Sequence, residues 1–204
     1  SYNLDKTIEG VSRIGMRGKM GRRSFDMVSQ GHNMLVDTTT TCLRQNERFM
    51  KKYQHGVGLV EPCIVLVGMG RCSDQLYAKS KAMADRYGTV LHMHQANMLE
   101  NLQESYQQYG ERPIEHLYKI GALGKNVVLV HMVHLNSREI EMLAETKTNV
   151  VHCPNTAMKL AYGLSTFGKF PELTAAGVNV SIGTDASDCS NFNDMVRLMY
   201  LAAV

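Results

Sequence analysis

The feature that most constrains this chain is a recurring unit, a short continuous apolar run followed by an amphipathic stretch. Such runs lie at residues 63–67, 89–94, 126–131, 149–152 and 178–183. Strands buried on both faces of a parallel sheet have this composition, because neither face meets water. Helices are expected between them: over 74–87 with Ser73 as cap and Gly88 as stop, over 113–120, after Ser137, over 171–176 before Gly177, and from Asp194 onward. Repeated strand–helix units imply right-handed parallel crossovers, so the fold class is α/β. Periodicity alone does not choose between an open sheet and a closed barrel. Upstream, residues 1–33 are polar and rich in Gly and Arg, which suggests a loop leading to a helix over 24–33. Residues 35–41 suggest a strand ending in a run of threonines.

Composition narrows the partners. Of 204 residues, 44% are apolar and 20% charged, enough for one buried core in an ordinary globular domain. The net charge is +3, and the 22 Lys and Arg residues are scattered rather than massed into a stripe, so no nucleic-acid partner is expected. Five separated cysteines with no CxxC indicate neither a disulfide framework nor a thiolate zinc knuckle. A reducing, cytoplasmic setting is the default. No apolar run is long enough to cross a bilayer, and no membrane partner is expected.

Chemistry concentrates where the strands end. The segments Leu91-His92-Met93-His94, Val130-His131, Val151-His152 and Gly183-Thr184-Asp185 close four successive runs. Polar residues at the C-terminal ends of successive parallel strands converge on one mouth of a barrel. Imidazoles with a carboxylate suit zinc, iron or manganese in a partly open site. Each residue also has a plainer role open to it. His92 and His94 share a strand face, so one can be a ligand and the other packing. His131 and His134 could be hydrogen-bonded core histidines, His152 a structural residue before Cys153-Pro154, and Asp185 a loop cap. The 14 methionines suit adaptable core packing better than a ligand set. The lone Gly68-Met69-Gly70 lacks the rest of a dinucleotide fingerprint. No phosphate-binding loop, Gly-x-Ser-x-Gly elbow or small zinc-deaminase signature is present.

From Ile64 onward the sequence resembles the amidohydrolase superfamily, in the branch of nucleoside and guanine-type deaminases and triazine hydrolases. The resemblance is carried by Cys72-Ser73-Asp74-Gln75-Leu76, Leu91-His92-Met93-His94, Arg112-Pro113-Ile114-Glu115-His116-Leu117 and Val130-His131-Met132-Val133-His134-Leu135. It continues through His152-Cys153-Pro154, Met158-Lys159-Leu160 and Ala176-Gly177-Val178-Asn179-Val180 to Gly183-Thr184-Asp185. It implies a (β/α)₈ TIM-type barrel, with His94 and Asp185 as ligands of one divalent metal ion, zinc first and iron or manganese next. It also implies Asp185 as proton acceptor from water and His131 as the group that polarises substrate or orients the water. His134, Arg71 and Asn97 are the candidate substrate contacts, with Asn97 also a catalytic candidate beside Asp185 and His131, and a homo-oligomer is an expectation from the same source.

The sequence departs from the family pattern in three places. No His-x-His pair precedes residue 33, so strand one is not represented. A unit containing strand three also lacks a counterpart, which suggests a missing segment near residues 40–46 of a single, partial catalytic domain spanning 1–204. Asn97 stands where the deaminases carry a proton-shuttling glutamate, and an amide cannot carry a proton at neutral pH. No lysine follows strand four where a bridging carboxylated ligand would stand, which points to one metal ion. The expected function is hydrolysis of a C–N or related C–X bond of a small heterocycle, amide or urea. The alternatives are a nucleoside-type aminohydrolase and a barrel that binds small molecules without turnover.

Overall fold

A computed structural model describes residues 3–28, 36–68 and 70–203. The chain divides into two compact units, Ser1–Met93 and His94–Val204.

The first unit holds α1 (Leu4–Arg13), β1 (Gly18–Met20), β2 (Arg23–Ser24), α2 (Thr39–Lys52), β3 (Val60–Pro62), β4 (Ile64–Gly68) and α3 (Asp74–Tyr87). It also holds the start of β5 (Leu91–Gln95). Strands β1 and β3 pair in parallel with Gly18 opposite Val60, and β2 and β4 do so with Arg23 opposite Val65. Gly21 lets the chain pass between these pairs: a β-carbon there would stand 2.3 Å from the Cys63 carbonyl oxygen. Helix α3 begins as expected, with the Ser73 hydroxyl accepting from the Leu76 N–H, and ends at Gly88 in the left-handed conformation. Asp26 ties two helix starts together. Its carboxylate accepts from the Ser73 N–H at 2.7 Å, the Ser73 hydroxyl at 2.6 Å and the Thr39 hydroxyl at 2.5 Å.

Three expectations for this part are corrected. Among the described residues, the stretch read as a loop holds a helix and two short strands, α1, β1 and β2. Ser24 belongs to β2 and residues 25–28 are not helical; 29–33 lie outside the described residues. The strand expected over 35–41 is absent among the described residues there, because Thr38 caps a helix. Its backbone is extended at φ −72° and ψ 155°, and its hydroxyl accepts from the Thr41 N–H at 3.2 Å. β-Branched composition favours a strand, but a threonine that satisfies an orphan helix N–H starts a helix instead. Residues 40–46 lie inside the continuous helix α2.

The second unit contains α4 (Leu99–Tyr109), α5 (Pro113–Lys119), β6 (Val127–His131), α6 (Ser137–Glu145) and β7 (Asn149–His152). It continues with α7 (Pro154–Lys159), α8 (Leu164–Phe167), α9 (Phe170–Ala175), β8 (Val180–Ile182), α10 (Ser187–Ser190) and α11 (Met195–Ala203). The α/β alternation is thus present, and β6, β7 and β8 run parallel with Val130 opposite Val151 and Val151 opposite Ser181. Leu129, Val127 and Val150 are wholly buried, as continuous apolar strands demand. Helix α6 is capped by Asn136 rather than Ser137, with a reciprocal pair of bonds between Asn136 and Glu139. Among the described residues no helix is long and apolar enough to cross a membrane.

Candidate metal centre

The parallel register sets where the chemistry falls. With His152 opposite Ile182, and Val130 opposite Val151, the residues that follow all three strands emerge at one edge. His131 closes β6 there, Cys153 follows β7, and Asp185 lies three residues beyond β8. The Nε2 atom of His131 is 4.0 Å from Oδ2 of Asp185. The ligating atoms of His131, Cys153 and Asp185 all lie within 4.8 Å of one another. The ring of His94, from the end of β5, stacks on that of His131 with centroids 5.4 Å apart and an interplanar angle of 24°.

Backbone geometry at these positions is unusual. Ala96, His131, Met132 and Asp185 all have positive φ, at 47°, 82°, 52° and 59°. Side-chain-bearing residues adopt this region only when the surroundings enforce it. Here the Met132 N–H donates to the Gln95 carbonyl at 3.3 Å, and the His134 N–H to the Ala96 carbonyl at 3.0 Å. Asp185 divides its carboxylate: Oδ1 accepts from the Ala186 N–H at 2.7 Å, and Oδ2 is the atom nearer His131.

The donor types present suit a divalent ion: His131, Cys153 and Asp185 converge, and His94 brings a further imidazole against His131. Cys153 is the residue that sequence reasoning missed. Its only signal was its place directly after a strand-ending histidine. Burial, and then the Asp185 carboxylate, push its thiol up to about 12.

The other expected residues fall as follows. Asn97 is 3% exposed and makes a side-chain hydrogen bond with Tyr162, whose ring stands edge-on to His131 at 5.6 Å. His134 is buried, donates from Nε2 to the Tyr162 carbonyl at 2.8 Å and rests against Phe167; burial lowers its pKa. Its Nε2 is therefore committed to the main chain. Arg71 belongs to the first unit, where its carbonyl accepts from the N–H groups of Asp26 and Met27. His152 stacks on Phe170 at 3.7 Å, and burial lowers its pKa to about 4.

Known proteins resemble the chain in sequence and in fold. The chain is 31% identical over 203 residues to a 5'-deoxyadenosine deaminase of Methanopyrus kandleri, covering 100% of this chain and 45% of that protein. Among solved structures, E. coli guanine deaminase superposes with a TM-score of 0.87 at 24% identity, covering 98% of this chain and 46% of that one. An adenosine deaminase from Xanthomonas campestris with bound zinc superposes with a TM-score of 0.83 at 26% identity, covering 98% and 44%. The chain spans about half the length of the relatives it matches. Its parallel α/β architecture is accordingly part of the TIM-type barrel expected from the sequence. The family model for the amidohydrolases matches residues 4–204, and the chain belongs to the amidohydrolase family.

Proposed function

We propose that the whole protein is a metal-dependent hydrolase holding one divalent ion, zinc first, that cleaves a C–N or related C–X bond of a small heterocycle, amide or urea. The observation that carries this reading is the approach of His131 Nε2 to Asp185 Oδ2 at 4.0 Å, on backbone held at positive φ, with His94 stacked alongside. His94 and Asp185 would hold the ion. When bound, it would supply Lewis acidity and make hydroxide available at neutral pH. Asp185 accepts the proton that water loses on adding to the scissile carbon, then returns it to the departing nitrogen, so that C–O forms as C–N breaks. His131, beside that carboxylate, orients the polar group of the substrate. Asn97 and Tyr162 line the substrate side.

The 5'-deoxyadenosine deaminase relative and the zinc-bearing adenosine deaminase structure favour a second form of this chemistry, removal of an exocyclic amino group from a nucleoside-like ring. Asn97 favours the first form, because leaving groups that need less protonation depend less on a proton shuttle. We assign the protein to a reducing compartment, the cytoplasm, since Cys42, Cys63, Cys72, Cys153 and Cys189 are all free thiols. The test is metal analysis of the full-length protein, followed by a panel of ureas, amides, aminoheterocycles and adenine nucleosides. About one ion per chain with turnover of a panel member supports the reading. A folded protein that binds no ion when supplied with excess zinc, iron or manganese sinks it.

A further inference from the structure

Asn97 is almost wholly buried, yet its carbonyl oxygen Oδ1 has no hydrogen-bond partner. Its bond to the Tyr162 hydroxyl therefore comes from the amide nitrogen. The Tyr162 ring stands edge-on to His131, and the main-chain carbonyl of the same residue accepts from His134 Nε2. The amide nitrogen is thus spent on the protein, and what remains unsatisfied in the candidate site is a lone-pair acceptor. A buried acceptor without a partner is costly, and a ligand N–H that reaches it relieves the cost. A ligand presenting a bare ring nitrogen there sets one lone pair against another.

We propose that Asn97 and Tyr162 together select substrates that carry an N–H beside the scissile carbon, as in a lactam, ureide or amide, over rings with an unprotonated nitrogen at that place. This rests on the hydrolase reading above and names its substrate class. A glutamic acid at this position could donate a proton to a bare ring nitrogen; an asparagine anchored by its nitrogen offers only an acceptor.

The probes are 2-aminopyrimidin-4-one, with a ring N–H beside the amino carbon, and 2-amino-4-methoxypyrimidine, in which that nitrogen is bare. Binding to the metal-loaded full-length protein is measured by calorimetry and turnover by ammonia release. The wild type should bind the N–H ligand about 10- to 100-fold more tightly, the span expected for one buried hydrogen bond made or lost. Asn97→Asp keeps the acceptor and should keep the preference; Asn97→Leu removes it and should bring the two affinities within about threefold. Equal affinities in the wild type, preference for the bare ring, or an unchanged ratio in a folded Asn97→Leu would each overturn the proposal. Should Asn97→Leu not fold, the wild-type and Asn97→Asp affinities still decide. A persistent binding preference with no hydrolysis of any panel member would instead refute the hydrolase reading and leave the selectivity standing.

Discussion

The Nε atom of Arg112 lies 2.7 Å from Oε2 of Glu139, whose side chain is wholly buried. The same carboxylate accepts from the Ile114 and Asn136 N–H groups, while Arg112 Nη2 donates to the His134 carbonyl at 3.0 Å. The pair therefore joins the starts of α5 and α6 to the turn that follows His131. Burial raises the pKa of Glu139 even against these partners, so desolvation outweighs them.

Removing one partner should be worse than removing both. Arg112→Met leaves a carboxylate buried without its counter-ion, and a loss of about 3–5 kcal/mol is expected. The double variant Arg112→Met, Glu139→Leu should recover part of that. Urea denaturation of the single and double variants checks it; a double variant less stable than Arg112→Met would show that the pair acts chiefly through its backbone contacts.

The parts of this structure that were legible in the sequence are those with a strong local signature. The runs ending at His94, His131 and His152 are continuous apolar strands, and Ser73 and Gly88 bound α3 with standard cap chemistry. Helix α4 escaped notice because its buried residues are Asn101 and Ser105, which leave no apolar stripe to detect. The Thr38–Thr41 turn misled for the opposite reason, since β-branched residues can cap as well as pair. At the site, strand ends gave His131 and Asp185, but Cys153 needed the register of β7 against β8, and the commitment of His134 to the Tyr162 carbonyl is a tertiary contact no motif records.

Metal binding should depend on His94 and Asp185 together. His94→Ala and Asp185→Asn are each expected to lower metal content well below one ion per chain. Asp185→Asn should in addition cut turnover about 10²–10⁴-fold, since the amide cannot accept a proton. Mass spectrometry of the purified variants measures the first effect and steady-state kinetics at saturating zinc the second. Full metal content in both variants would place the ion elsewhere.

In the first unit, Asp26 should matter more than an isolated loop acid. It receives three hydrogen bonds that fix the starts of α2 and α3. Asp26→Ala is expected to destabilise by about 2–4 kcal/mol, the range for losing charged acceptor bonds at helix starts, discounted because the bonds share one group. Asp26→Asn, which keeps one acceptor, should cost less. Equal midpoints for wild type and Asp26→Ala in thermal unfolding would contradict this.

His152 should make stability fall with acid. In the folded chain its pKa lies at about 4, below the ordinary value of 6.5, because burial disfavours the charged ring. Between those values the unfolded chain takes up a proton that the folded chain refuses, so stability rises with pH through this window and is complete above it. Lowering the pH from about 7 to about 4 should therefore remove roughly 3 kcal/mol through this residue alone. The ring packs face-on against Phe170 and its Nδ1 has no partner, so His152→Phe should fold with the stacking kept and the proton uptake abolished. Denaturation midpoints of metal-free wild type and His152→Phe, measured across this range, separate the contribution from that of the other acids. A wild-type slope equal to the variant's would mean that His152 reaches solvent and titrates normally.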